Sequence, residues 1–290
     1  MSTEPTVSSI PCIPTITGIR AAVAQARGDG KIVGLVPTMG ALHEGHLSLI
    51  RRARAECGFV VVWVFVNPTQ FGPQEDLERY PRDLEHDRIL ASEAGADVIF
   101  NPSVAEIYPA GFATWIDVEG LGDGLCGVSR PGHFRGVCTV VTKFFNICEP
   151  DKAYFGQKDA QQLAIIRRMV RDLNMRPEIV GCETVREADG LAMSSRNAYL
   201  TADERRQAVV LNQALRTAER LVREGERDAA AIEGSIRAVL GSAPQANVDY
   251  VAIVDAEDLR PVPTIAGDCL IALALRFGAT RLIDNTTVRA

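Results

Sequence analysis

Two of the four histidines in this 290-residue chain stand three apart in the stretch GLVPTMGALHEGHLSLIRRA, residues 34–53. His43 and His46 lie where an apolar run ends and a helical pattern begins. An imidazole can donate a hydrogen bond to a phosphate oxygen whether it is neutral or protonated. A helix starting beside such a pair adds unpaired N–H groups and the positive end of its dipole. Gly40 and Gly45 let a ligand come close to the backbone. The expected chemistry is therefore a phosphate grip for a nucleotide. The plain alternative is one surface histidine beside one that caps a helix. Zinc fits less well, because HEGH is not HExxH and an i, i+3 pair has no obvious third ligand.

Three further clusters offer polar groups at the ends of apolar runs. FGQKDAQQL brings Lys158, a point charge for a phosphate, together with Gln161 and Gln162. DGLAMSSRN sets two hydroxyls, Ser194 and Ser195, next to the guanidinium of Arg196 on an expected flexible turn. FVNPTQF places the neutral amides of Asn67 and Gln70 in an apolar corner, suited to orienting a small polar substrate. The GxGxxG spacing of Gly122, Gly124 and Gly127 is a weak signal by itself. Pro131 and Gly132 follow too soon for a helix to carry a dinucleotide, so a mobile glycine-rich loop is expected. No GxxxxGK[ST] phosphate loop occurs.

The elements that must position these residues alternate through the first two thirds of the chain. KIVGLVP (31–37), FVVVWVFV (59–66), ADVIF (96–100), DKAYFG (151–156) and RPEIVGCET (176–184) read as strands. The segments 46–57, 83–95, 134–149 and 159–174 read as helices. Eight consecutive apolar, β-branched or aromatic residues at 59–66 suit a strand buried on both faces of a parallel sheet. The implied fold is α/β, a Rossmann-like doubly wound parallel sheet domain over 1–185. A smaller C-terminal α+β domain, 186–290, is expected after it. It opens on a long helical pattern with a capping-box pair, Thr201 and Glu204, and continues with a helix near 228–240 and two strand-like runs. In open sheets of this kind ligands bind beyond the carboxyl ends of the strands, where all these clusters fall.

Composition narrows the function classes. A net charge of −6 argues against a broad nucleic-acid surface, although a few local cations can still hold an anionic small molecule. No apolar run reaches the roughly 20 residues of a membrane span. The first 16 residues lack the features of a signal peptide and read as a partly ordered tail. Seven scattered cysteines without a CxxC fit reduced thiols in a cytoplasm.

Taken together, PTMGALHEGHLSLI, FVNPTQFGPQEDLERYPR, SRPGHFRGV, FGQKDAQQL and DGLAMSSRNAYL resemble, in order and spacing, the pantothenate synthetase (pantoate–β-alanine ligase) family over essentially the whole chain. That family is part of a nucleotidyltransferase superfamily with the class I aminoacyl-tRNA synthetases. HEGH looks like the HIGH motif of those synthetases, and MSSRN stands where they carry KMSKS. The resemblance implies an ATP-driven condensation: pantoate attacks the α-phosphate to give pantoyl adenylate and pyrophosphate, and β-alanine then displaces AMP. It implies that Met39, Gly40, Ala41, Leu42, His43, Glu44, Gly45, His46, Gly156, Gln157, Lys158, Asp159, Val185, Met193, Ser194, Ser195 and Arg196 line ATP. It makes His46 the proton donor, with His43, Lys158, Ser195 and Arg196 as its catalytic companions. Gln70 and Gln162 would hold pantoate, Gln70 also bordering β-alanine. Mg²⁺ would accompany the triphosphate, with Asp87 its candidate protein ligand in DLEHD, where His86 is its neighbour. A cytoplasmic homodimer is implied. Two rivals are a cytidylyl- or adenylyltransferase, which would release a nucleotide-linked product, and a non-catalytic nucleotide-binding module. AMP formation that requires both pantoate and β-alanine separates all three.

Overall fold

The structure, a computed structural model, describes residues 10–73 and 75–290. The chain divides into two compact units. One comprises residues up to Val118, Arg130–Gly156 and Ile165–Cys182; the other comprises Glu119–Ser129, Gln157–Ala164 and Glu183–Ala290.

The first unit is built on six parallel strands: β1 (Cys12–Ile13), β2 (Val33–Thr38), β3 (Phe59–Val64), β4 (Val98–Phe100), β5 (Lys152–Gly156) and β6 (Glu178–Cys182). Their spatial order is β1-β4-β3-β2-β5-β6. The chain steps outward from β2 through β3 to β4, then returns to the other side of β2 to place β5. The switch point therefore lies between β2 and β5, and a crevice beyond their carboxyl ends is the expected ligand position. Five of the six residues of β3 are buried, as a strand covered on both faces requires. Trp63 of β3 packs edge-on against Phe100, with ring centroids 4.4 Å apart, and lies 3.6 Å from Phe144. Phe144 belongs to the helix His133–Cys148, most of which is buried.

Two elements near the N-terminus depart from the expected tail. Cys12 and Ile13 pair in parallel with Ile99 and Phe100, and the helix Ile16–Gly28 follows, capped by Thr15 and buried through Ile19, Val23 and Ala26. The first nine residues of the tail lie outside the described residues. In the second unit, β7 (Ala246–Asp255), β8 (Asp268–Phe277) and β9 (Thr280–Arg289) form an antiparallel sheet. Helices Val210–Arg223 and Ala229–Leu240 share a core with this sheet around Leu211, Leu215, Ile232, Ile236, Ile271 and Leu273. The long helical pattern from Thr201 is two helices, Ala202–Ala208 and Val210–Arg223, meeting at Val209. The capping box forms: Thr201 accepts from the Glu204 N–H at 3.3 Å, and Glu204 accepts from the Thr201 N–H at 2.8 Å. No helix among the described residues is long and apolar enough to cross a membrane.

One ion-pair cluster makes stability pH-dependent. Glu56, ending the helix Glu44–Glu56, accepts from Lys152 Nζ at 2.9 Å, pairs with Arg52 and accepts from the Tyr154 hydroxyl at 3.0 Å. Lys152 and Arg52 hold its carboxyl down to about 2, from an ordinary value of 4.5. A carboxyl depressed on folding stabilises the native state above its unfolded value, and that contribution fades as pH falls through the folded value. Glu56→Gln is therefore expected to lower the unfolding midpoint at neutral pH by an amount worth about 1 kcal/mol or less. The gap from wild type should close between about pH 4.5 and 2. Thermal denaturation of both proteins across that range checks it, and a gap independent of pH would count against the assignment.

Candidate active site

The loop after β2 turns back through two residues in the left-handed region, Gly40 at φ +85° and Ala41 at φ +52°. A non-glycine residue there costs on the order of 1 kcal/mol or more unless its surroundings hold it. Here the holder is Asp87, on the helix Leu84–Glu93: its carboxylate accepts from the Ala41 N–H at 3.0 Å and the Leu42 N–H at 2.7 Å. Asp87 is 2% exposed. Burial pushes its carboxyl up, against the two amide hydrogen bonds, which favour the anion. With one oxygen given to each amide, Asp87 is built as a buttress for the histidine loop. Each of its oxygens keeps a second lone pair beyond the amide bond it accepts. Among the described residues no group of three or more His, Cys, Asp or Glu side chains is arranged to hold a metal ion.

The buttressed loop ends in a double cap. His43 is the N-cap of the helix Glu44–Glu56, and its Nδ1 accepts from the Gly45 N–H at 3.1 Å. His46 Nδ1 accepts in return from the His43 N–H at 3.4 Å. The two rings lie 4.1 Å apart at 34°. This is a capping box with imidazoles in place of the usual hydroxyl and carboxylate. An Nδ1 that accepts carries no proton, so in each neutral ring the proton sits on Nε2, which is thereby a donor. Capping thus uses one nitrogen of each ring, so it does not compete with hydrogen-bond donation from the opposite nitrogen. Glu44 pairs with Arg51, so its contribution to the loop is its place in the first turn.

Gln70 ends a short 3₁₀ turn after β3. Its side-chain amide donates to Met39 Sδ at 3.1 Å, and its Oε1 accepts from Asn67 Nδ2 at 3.1 Å. Its carbonyl accepts from His133 Nδ1 at 2.8 Å and Arg130 Nη2 at 3.3 Å; Arg130 is clasped in turn by Glu75. Asn67 is buried and engaged on both ends of its amide, with Thr69, Tyr108, Gln70 and the Gly136 carbonyl. It shapes the turn and is not the expected substrate contact. Arg130 and His133 are positioning residues that residue-by-residue reading missed. The only signal for them was their occurrence together in SRPGHFRGV.

Apart from Gly156, which ends a first-unit strand, the second unit carries the remaining residues. Gln157–Asp159 form a 3₁₀ turn, with Lys158 Nζ 3.8 Å from Asp159 Oδ2; Gly156, the last residue of β5, precedes them. Gln162 is half-buried on the helix Ala160–Asp172. Gln161 has a different task. Its Oε1 accepts from the Cys126 N–H at 3.0 Å, and its Nε2 donates to the carbonyls of Leu121 at 2.9 Å and Gly124 at 2.8 Å. The glycine-rich segment is thus tied down, contrary to the expected mobile loop. Its last glycine has a packing cause: a Cβ on Gly127 would sit 1.7 Å from the Gly122 carbonyl oxygen.

The turn of Val185 and Met193–Arg196 is likewise clasped. The Met193 N–H reaches the Val185 carbonyl at 2.9 Å, and Arg186 pairs with Ala192 across a bridge. Ser194 caps the 3₁₀ turn Ser195–Tyr199, accepting from the Arg196 N–H at 3.3 Å. Asn197 ties Glu187 to the Ala192 carbonyl, and Arg205 grips Glu187 and Asp189. Met193, Ser194, Ser195 and Arg196 are half-buried.

The chain matches the family model described as pantoate-beta-alanine ligase over residues 11–287. It is 58% identical over 271 residues to a pantothenate synthetase of Pelotomaculum thermopropionicum, covering 93% of this chain and 96% of the relative. Among solved structures it superposes on pantothenate synthetase from Thermus thermophilus with a TM-score of 0.92 at 48% identity, covering 97% of this chain and 100% of that one. It also superposes on the pantoate-beta-alanine ligase of Francisella tularensis, complexed with beta-gamma ATP and beta-alanine. There the TM-score is 0.79 at 33% identity, with 96% of this chain and 97% of that one covered.

Proposed function

The chain belongs to the pantoate–β-alanine ligase family, and from that premise we infer how its own residues carry out the ligation. It is an AMP-forming ligase that uses ATP to join pantoate to β-alanine through a pantoyl adenylate. A pantoate carboxylate oxygen bonds to the α-phosphorus while the bond from that phosphorus to the oxygen bridging to the β-phosphate breaks, releasing pyrophosphate. The β-alanine amine then bonds to the acyl carbon, the acyl–phosphate bond breaks and AMP leaves. Charge spreads over phosphoryl oxygens in the first step, so positioning and preorganised donors supply most of the catalysis.

The observation that supports this reading most is the imidazole capping box: it fixes both Nδ1 atoms as acceptors and leaves Nε2–H as the donor of each ring. His46 gives its proton to the departing pyrophosphate oxygen, and His43 donates to the triphosphate. Lys158 and Arg196 neutralise charge on the phosphates, and Ser194 and Ser195 donate hydrogen bonds to them. The loop Met39–Gly45, the turn Gly156–Asp159, Val185 and Met193 line the nucleotide. Gln70, its carbonyl held by Arg130 and His133, orients pantoate and borders β-alanine; Gln162 is the second pantoate contact. Mg²⁺ would accompany the triphosphate and offset its charge, with Asp87, whose carboxylate also holds the Ala41 and Leu42 amides, as its candidate protein ligand. Residues 1–185 bind nucleotide and pantoate, and residues 186–290 form the lid. A cytoplasmic homodimer completes the reading.

The deciding experiment is a single turnover with β-alanine left out. ATP and pantoate alone should yield one equivalent of pyrophosphate, with AMP appearing only when β-alanine is added. Pyrophosphate that waits for β-alanine would overturn the adenylate route.

A further inference from the structure

We propose that Asn285 is a positioning residue for Lys158, and that its neighbour Asp284 ties the same stretch of β9 to the Val185–Arg196 turn. The two phosphate-directed turns of the second unit would thus share one anchor. The Asn285 side chain donates to two successive carbonyls, Gln157 at 3.0 Å and Lys158 at 2.8 Å. A single amide group thereby holds the peptide on which Lys158 is mounted, without needing to touch a substrate. Asp284 is 1% exposed, in a strand row that otherwise buries Leu282 and Val288. A buried carboxylate is costly unless it is paired and hydrogen-bonded. Here both Nη atoms of Arg186 meet it, at 2.7 and 3.0 Å, and the Asn285 N–H adds a third bond at 2.8 Å. Arg186 Nη1 also donates to the Gly190 carbonyl at 3.0 Å, closing the hairpin that leads to Met193–Arg196. Successive strand residues point to opposite faces, so Asp284 and Asn285 can serve two different turns from adjacent positions.

The inference rests on the reading of Lys158 as a phosphate donor, and a double-mutant cycle keeps the two apart. Adenylation rates and pantoate half-saturation are measured for wild type, Asn285→Ala, Lys158→Ala and the double variant. Asn285→Ala should slow adenylation by about tenfold or more, since small misplacements of a catalytic group cost that much, with pantoate half-saturation unchanged. In the Lys158→Ala background the same substitution should cost less than about twofold, because the group it positions is gone. An equal loss in both backgrounds would make Asn285 a merely structural residue and overturn the proposal, as would full activity of Asn285→Ala. If Lys158→Ala alone proved silent, the Lys158 reading would fall first, and that arm shows it separately. Should Asn285→Ala fail to fold, Asn285→Ser, with one donor and a smaller side chain, enters the same cycle with the same criteria.

Discussion

Replacing His46 by Ala is expected to slow pyrophosphate release from ATP and pantoate by roughly 10²–10³-fold in a protein that remains folded. The ring does two jobs. Its Nδ1 completes the cap on the His43 N–H, and its Nε2–H is the donor proposed for the departing pyrophosphate. Losing a cap costs about 0.5–2 kcal/mol, which a domain of this size tolerates. His46→Asn separates the jobs, because its short amide reaches the position of Nδ1 and falls short of Nε2. That variant should recover most of the unfolding midpoint lost in His46→Ala and little of the rate. Single-turnover kinetics alongside thermal denaturation measure both. An Asn variant within a few-fold of wild-type rate would show that capping is all His46 does.

Gly136→Ala should damage the enzyme through the Asn67–Gln70 turn. Gly136 lies one turn into the helix His133–Cys148. A Cβ there would stand 2.4 Å from the Thr69 carbonyl oxygen, 2.7 Å from its carbon and 2.9 Å from the Gln70 nitrogen. All three are backbone atoms, so no side chain can swing aside. Alanine is the better helix former by about 1 kcal/mol, and overpacking of this kind costs about 1–3 kcal/mol or more, so the net effect is destabilising. The helix and the Asn67–Gln70 turn must separate, disturbing the Asn67 bond to the Gly136 carbonyl and the hold of His133 and Arg130 on Gln70. A displacement approaching 1 Å at a substrate-orienting group lowers rate by about 10²-fold. The expected result is that kcat/KM for pantoate falls by about that factor while ATP binding, followed by calorimetry, changes little. A wild-type unfolding midpoint with a wild-type pantoate dependence would refute the packing argument.

Much of this was readable before any coordinates. The apolar strand Phe59–Val64, the Thr201–Glu204 capping box and the handover at His43–His46 are written in local pattern: side-chain alternation, helical spacing and short-range hydrogen-bonding capacity. The order and spacing of five motifs were enough to identify the family. What stayed hidden depended on partners distant in sequence. β1 is two residues long and exists because β4 offers it an edge. β9 places Asp284 where strand alternation calls for an apolar residue, and the reason is Arg186, 98 positions away. Segments 119–129 and 157–164 interrupt the stretch expected to be one domain, yet they cluster with the second unit; Asn285 and Tyr250 supply some of the bonds.

Asp87 marks the division most clearly. Sequence by itself determined that a carboxylate would stand in DLEHD near the start of a helix, and that a histidine pair would open another helix after a strand. Tertiary structure decided that this carboxylate meets the Ala41 and Leu42 amides, 46 and 45 residues away, and so holds the histidine loop. Periodicity and capping are set within a turn or two of chain, where neighbours are certain to meet. Which buried charge finds which backbone donor is set by the packing of the whole sheet, because a carboxylate taken out of water must be satisfied by whatever that packing brings beside it.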